Sequence, residues 1–157
     1  MSDEAITILE TRKVEAKILK TLHSVLVREL GREKATRLLL EAIEEAAEED
    51  GRRMAEQAKD GGSLESFKQI LPLWARGGAL EIKILASDQE RLDYDVVRCR
   101  YAECYREMGL EDMGYLLSCA RDEAFIKGFA PGVRMSRKQV IMNGDERCQF
   151  RYWQKKE

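Results

Sequence analysis

Histidine is nearly absent from this sequence: His23 is the only one in 157 residues. It lies among Leu22, Val25 and Leu26 and reads as a helix-boundary residue, so neither a Ser-His-Asp nor a Cys-His constellation can be built on it. Cysteine is limited to Cys99, Cys104, Cys119 and Cys148, with no CxxC pair. Without that spacing or a second imidazole, a zinc site is not indicated, and no metal or cofactor is expected. GxGxxG and P-loop patterns are missing too, and the turn at residues 128–132 is no phosphate cradle. The apolar runs fall far short of the roughly 20 residues that span a bilayer. Residues 1–10 are acidic and mixed, with no basic stretch leading into an apolar one. No export signal is therefore expected, and a cytoplasmic protein with reduced thiols is. A net charge of −2 gives no electrostatic case for a nucleic-acid partner.

What remains is 44% hydrophobic and 36% charged residues, the composition of a folded domain with a charged surface. The length suits one domain over residues 1–157. The first part, about residues 5–76, reads as helical. Val14, Ile18, Leu22, Val25 and Leu26 recur at steps of three and four and share a face of a helix over residues 5–30. Gly31 breaks it. A second helix follows, with Leu38, Leu39, Ala42, Ile43 and Ala46 expected inward, Glu41, Glu44, Glu45, Glu48 and Glu49 outward, and a kink expected at Gly51. Ser63 is the expected N-cap of a short helix over residues 63–70, closed by Pro72.

From Gly77 the period changes to two. Residues 80–84 and 92–96 alternate as strands around a turn at residues 87–90. Helical spacing returns over residues 101–129, broken near Gly109. Two more strands, 133–142 and 147–153, flank a turn at Asn143-Gly144-Asp145. The expectation is an α+β domain: N-terminal helices, then two β-hairpins flanking a helical segment, forming a four-stranded antiparallel sheet covered by helices.

The residues that could carry chemistry fall between Arg98 and Cys148. Arg98, Cys99, Arg100, Tyr101 and Cys104 sit where a strand passes into a helix. A helix start can lower a thiol's pKa, which would make Cys99 reactive; alternatively Cys99 is a small buried hydrophobe at a strand end. Cys119 and Asp122, three apart, share a helical face and suit a nucleophile and a proton acceptor, or else an inward thiol beside a surface Arg121–Asp122 pair. Arg137 falls on an apolar strand face and needs a partner, either Asp122 or a substrate carboxylate, unless a bulge turns it to solvent. Cys148 alternates with Phe150 and Tyr152 as core.

In order and spacing, the Arg98-Cys99 pair, the MGL and MGYLLSC elements, Arg121-Asp122, Gly128-Phe129 with Pro131, Arg137, and the Gly144 turn followed by Cys148 and Phe150 resemble the L-2-amino-thiazoline-4-carboxylic acid hydrolase family. The LESFKQILPLWARGGALEIKIL stretch is similar as well. The ending NGDERCQF also resembles the small-molecule-binding domains named after vinyl reductase. The first resemblance implies hydrolytic opening of a cyclic amidine to an N-carbamoyl cysteine, and the second a ligand-sensing domain without turnover. For the hydrolase, Cys99 or Cys119 would attack or activate, and Asp122 would bind the amidinium or move protons. Arg98 and Arg137 would hold the carboxylate, with Tyr101 beside them. A small-molecule ligand is the expected partner, and the apolar face of the first helix is a candidate homodimer surface.

Overall fold

The computed structural model describes residues 5–156. The first helix, α1 (Ile8–Leu30), starts at Thr7, whose hydroxyl accepts from the Glu10 N–H while the Glu10 carboxylate accepts from the Thr7 N–H. That reciprocal pair satisfies two donors the helix start leaves open. Gly31, at φ 82°, lets the chain reverse into α2 (Arg32–Gln57).

The expected kink at Gly51 is not there; α2 runs through it. A β-carbon at Gly51 would strike the Phe125 carbonyl, and one at Gly128 would strike the Glu48 carbonyl. These two glycines let α2 and α7 (Arg121–Phe129) cross with their backbones in contact.

The buried row of α2 steps by four: Ala35, Leu39, Ile43, Ala47, Gly51 and Ala55. Leu39 and Ile43 point inward as expected, whereas Ala42 and Ala46 face outward, because the row drifts around the helix rather than filling a three-and-four stripe. On α1 the apolar row of the sequence is the outer one. Val14 is 57% exposed, Ile18 67% and Leu22 45%, while the helix packs through Leu9, Ala16 and His23. The imidazole Nε2 of His23 meets the Thr36 hydroxyl at 3.0 Å and ties α1 to α2.

Ser63 caps α3 (Leu64–Ile70) as expected. Pro72 ends that helix but also opens another, α4 (Pro72–Ala75), at the first-turn position where a missing N–H costs nothing.

The sheet has strands β1 (Leu80–Ser87), β2 (Arg91–Cys99), β3 (Val133–Arg137) and β4 (Cys148–Gln154) in the order β1-β2-β4-β3, with every neighbour antiparallel. Across the central pair Leu92 faces Tyr152, Tyr94 faces Phe150 and Val96 faces Cys148, and all six are buried. Phe67, Phe125 and Phe129 pack against this side from α3 and α7. On the other side Asp95 pairs with Arg151 at 3.0 Å and Arg147 at 3.3 Å. The fold is thus α+β, with N-terminal helices first and helices packed on an antiparallel four-stranded sheet.

Two local expectations fail. β3 ends at Arg137, not at residue 142: the Val140 N–H donates to the Asp145 carboxylate at 2.7 Å, and the Val140 carbonyl accepts from the Asn143 N–H. Those bonds close a turn over Ile141–Asn143 and take the segment out of the ladder. Between β2 and β3 the chain makes α5 (Arg100–Glu107) and α6 (Glu111–Gly114), separated at Gly109 as expected. It then enters an unanticipated π-turn (Tyr115–Cys119) before α7. No helix among the described residues is long and apolar enough to cross a membrane.

Candidate functional site

The π-turn and α7 bring a carboxylate to the open edge of the core. Asp122 lies in the first turn of α7, next to Arg121. Arg137, the last residue of β3, reaches across and bonds Asp122 through one terminal nitrogen and the Cys119 carbonyl through the other, at 3.1 Å. Its guanidinium lies over the rings of Phe150, at 5.0 Å, and Tyr115, at 5.6 Å. Only 7% of the Arg137 side chain is exposed, and its buried Nε has no protein acceptor among the described residues. A charge placed this way is held by its carboxylate and by two π faces.

Beside the pair is a cavity of about 60 Å³. Asp122, Arg137, Cys119 and Ser118 form one wall, and Cys99, Tyr101 and Trp74 another. Arg12 from α1 and Arg121 from α7 add two charges, and the rest of the lining, Cys148 and Phe150 included, carries none. A smaller chamber of about 50 Å³ shares Asp122, Trp74, Leu80 and Phe150 with it, and is otherwise apolar, walled by Phe67, Tyr94 and Tyr152 among others. Each volume as it stands holds a few waters, below the roughly 150 Å³ of a cavity that takes up benzene, so a ring compound needs the two chambers joined into one.

Of the residues singled out in the sequence, Cys99, Tyr101, Cys119, Asp122 and Arg137 line this cavity. Arg98 does not: it points to solvent and pairs with Glu103 at 2.9 Å and Glu81 at 3.6 Å. The Tyr101 hydroxyl is already engaged, donating to the Trp74 carbonyl at 3.0 Å.

The thiols do not behave as a helix terminus alone would dictate. Cys99 is the N-cap of α5 and its sulfur accepts from the Ala102 N–H at 3.5 Å. Yet burial dominates and pushes this thiol up from 9.0 to about 11. Burial pushes Cys119 up as well, aided by the charge of Asp122. Both are therefore thiols rather than thiolates near neutral pH. Asp122 is raised as well: burial outweighs the opposing charge and hydrogen bond of Arg137. A carboxylate in that condition is a stronger base than a solvated one.

Arg12 goes unread in the sequence, and Arg121, expected there as one half of a surface pair with Asp122, is buried instead. Arg121 donates to the Leu117 carbonyl at 2.8 Å and to Glu15 at 2.9 Å, and Arg12 reaches Glu15 at 2.9 Å. Three guanidinium groups (Arg12, Arg121 and Arg137) thus meet two carboxylates (Glu15 and Asp122), leaving one positive charge in excess around the cavity. The signal for Arg12 was its place between Leu9 and Ala16 on the buried row of α1. Its i,i+3 spacing from Glu15 disguised it as a surface pair. Among the described residues no three His, Cys, Asp or Glu side chains converge to hold a metal ion.

Solved structures share the fold at low identity. One is the phenol-responsive sensory domain of the transcription activator PoxR with phenol, at 14% identity and a TM-score of 0.53, covering 87% of this chain and 73% of that one. Another is trafficking protein particle complex subunit 3 from Naegleria fowleri covalently bound to palmitic acid, at 12% identity and a TM-score of 0.50, covering 93% of this chain and 96% of that one. Among curated proteins none matches the chain in sequence. A family model does match, over residues 11–152, a span that holds every element from α1 to β4 and nearly the whole cavity wall. By that match the chain belongs to the L-2-amino-thiazoline-4-carboxylic acid hydrolase family.

Proposed function

We propose that the cavity binds a small ring compound carrying one carboxylate and hydrolyses its cyclic amidine, with 2-amino-thiazoline-4-carboxylate as the type substrate. The observation that carries this reading is the pair of buried Arg137 with part-buried Asp122, facing a cavity with one positive charge in excess. Arg12 and Arg121 take the substrate carboxylate, and Arg98 has no part because it stands outside the cavity. Arg137 holds Asp122 in place, and its unpaired Nε offers one more donor to the ligand. Tyr101 and the neutral thiols Cys99 and Cys119 shape the wall.

Water is the nucleophile. Asp122 takes a proton as water adds to the carbon between ring sulfur and nitrogen. The carbon–sulfur bond then breaks, the proton passes to the departing sulfur, and one water has been consumed to give an N-carbamoyl cysteine. A histidine-free site favours this route over a thiolate attack, because burial raises both thiols and the neighbouring Asp122 charge raises Cys119 rather than stabilising its thiolate.

A second reading is a binding module without turnover. The aromatic inner chamber and the likeness to a phenol-responsive sensory domain favour it. Incubation with the thiazoline acid and mass detection of a product heavier by one water separates the two. Ring opening that is lost in Asp122→Asn and kept in Cys99→Ala and Cys119→Ala supports the water mechanism. Loss in either cysteine variant overturns that mechanism. Saturable binding with no ring-opened product overturns hydrolysis and leaves the sensor.

A further inference from the structure

We infer that α1 and α2 form the interface of a homodimer, with α1 of each copy laid along α2 of the other. The outer row of α1 is Val14, Ile18, Leu22 and Val25, all at least 37% exposed, and no described part of the chain covers it. Beside it runs an open groove floored by Leu19, Leu39 and Ile43 and edged by Ala42 and Ala46 of α2. A helix that is apolar on both its inner and outer sides is built to be covered twice, and one chain covers α1 once.

Charge decides the occupant. The flank of α1 beside the stripe carries Lys17 and Arg28, the latter next to Glu29. The outward side of α2 carries Glu41, Glu45, Glu49 and Glu56, its rim arginines Arg52 and Arg53 being paired within the helix to Glu48 and Asp50. Over their full lengths α1 holds five basic and three acidic residues, and α2 holds five basic and eight acidic ones. A second copy therefore supplies what each helix lacks: apolar side chains for the groove, and the opposite charge on its rim. The same contact recurs twice about a two-fold axis, as an isologous interface requires. At the inner end of the groove lies the Glu15–Arg121 ion pair, whose arginine also lines the ligand cavity, so the partner's helix would cover an element the cavity uses.

The test is sedimentation of the full chain, with circular dichroism to confirm folding of each variant. Wild type is expected at twice the mass of one chain at micromolar concentration. Ile18→Asp and Leu22→Asp, on exposed positions, are expected to weaken association by about thirtyfold or more. A Lys17→Glu/Arg28→Glu chain and a Glu45→Lys/Glu49→Lys chain are each expected to self-associate poorly, and their mixture to recover the dimer. In the mixed dimer both contacts again join opposite charges. A wild type that stays monomeric, an unaffected Ile18→Asp or Leu22→Asp, or a mixture that stays monomeric overturns the inference.

Discussion

The two ends of this chain break the usual distribution of residues in opposite senses. In the α1–α2 hairpin, aliphatic side chains stand in water on Val14, Ile18 and Leu22 while the helix packs through an alanine and a histidine. At the junction of the π-turn, α7 and β3, charged groups are inside: Arg137 and Arg121 are buried among rings and carbonyls. Exposed apolar surface is a modest loss that association recovers. A buried ion pair is held only while both partners remain. Variants at the two ends should therefore differ in kind, and the largest effect belongs to the buried pair. Arg137→Ala leaves Asp122 without its counter-charge and is expected to lower the unfolding free energy by about 2–3 kcal/mol, the part of the carboxylate that faces water softening the loss. Arg137→Met with Asp122→Leu is expected to recover most of that loss, since neither charge is then left alone. Urea titrations of the three chains read the comparison directly. A single variant as stable as wild type would show that the pair is not enclosed.

A smaller effect tests the crossing that carries Asp122 into place. Gly51→Ala puts a methyl group where the Phe125 carbonyl stands, and overpacking of that kind costs about 1–3 kcal/mol. Displacing α7 also moves Asp122 and Arg121 together, so ligand affinity is expected to fall in parallel with stability. For an exposed residue such as Ile18, a substitution is expected to alter association and leave monomer stability within about 0.5 kcal/mol.

The thiols give a pH-dependent test that separates burial from helix-end chemistry. Cys99 rises from 9.0 in the unfolded chain to about 11 in the folded one. Between those values the folded state binds more protons than the unfolded state, so stability falls as pH rises above about 9, and the contribution is intact below it. Iodoacetamide should accordingly label native Cys99 more slowly at pH 8 than a free cysteine, and at the free rate in denaturant. Fast native labelling at that pH would restore a thiolate to the site and with it the cysteine mechanism.

How much of this was legible depends on whether the cause is local. The Ser63 cap, the Gly109 break, the two hairpins and the alternation of Leu92, Tyr94 and Val96 arise from neighbours in sequence, and they were readable. The end of β3 was not. Nothing in the alternating side chains from Val133 onward shows that the Asp145 carboxylate will claim the Val140 N–H from across the turn. Gly51 was noticed and misread, since a glycine in a helix signals a kink or a close approach equally well, and only the Phe125 backbone decides between them. Arg12 was missed because the residues with which it lines the cavity, Arg121 and Asp122, lie some 110 positions away, and its helix has an apolar periodicity that pointed to the other face. That second row was so regular that it masked the one that packs.

Arg98 is the sharpest remaining contrast, because it has the right type, lies next to Cys99 and still faces away. Arg98 and Arg121 look alike in sequence, each beside a candidate site residue. The strand's alternation sends Cys99 to the cavity side and therefore Arg98 to the other, where it meets Glu81 and Glu103 in solvent. Arg121 instead opens α7 and is drawn inward by the Leu117 carbonyl and Glu15. Exposed ion pairs are worth about 0–1 kcal/mol, so Arg98→Ala is expected to shift stability by less than that and to leave affinity for a carboxylate ligand unchanged within twofold. Arg12→Ala is expected to reduce that affinity about tenfold with little loss of stability, as removal of one charged donor does. Calorimetric titration of both variants with the thiazoline acid distinguishes them. If Arg98→Ala weakens binding as much as Arg12→Ala does, the carboxylate sits at the solvent end of β2 rather than between α1 and α7.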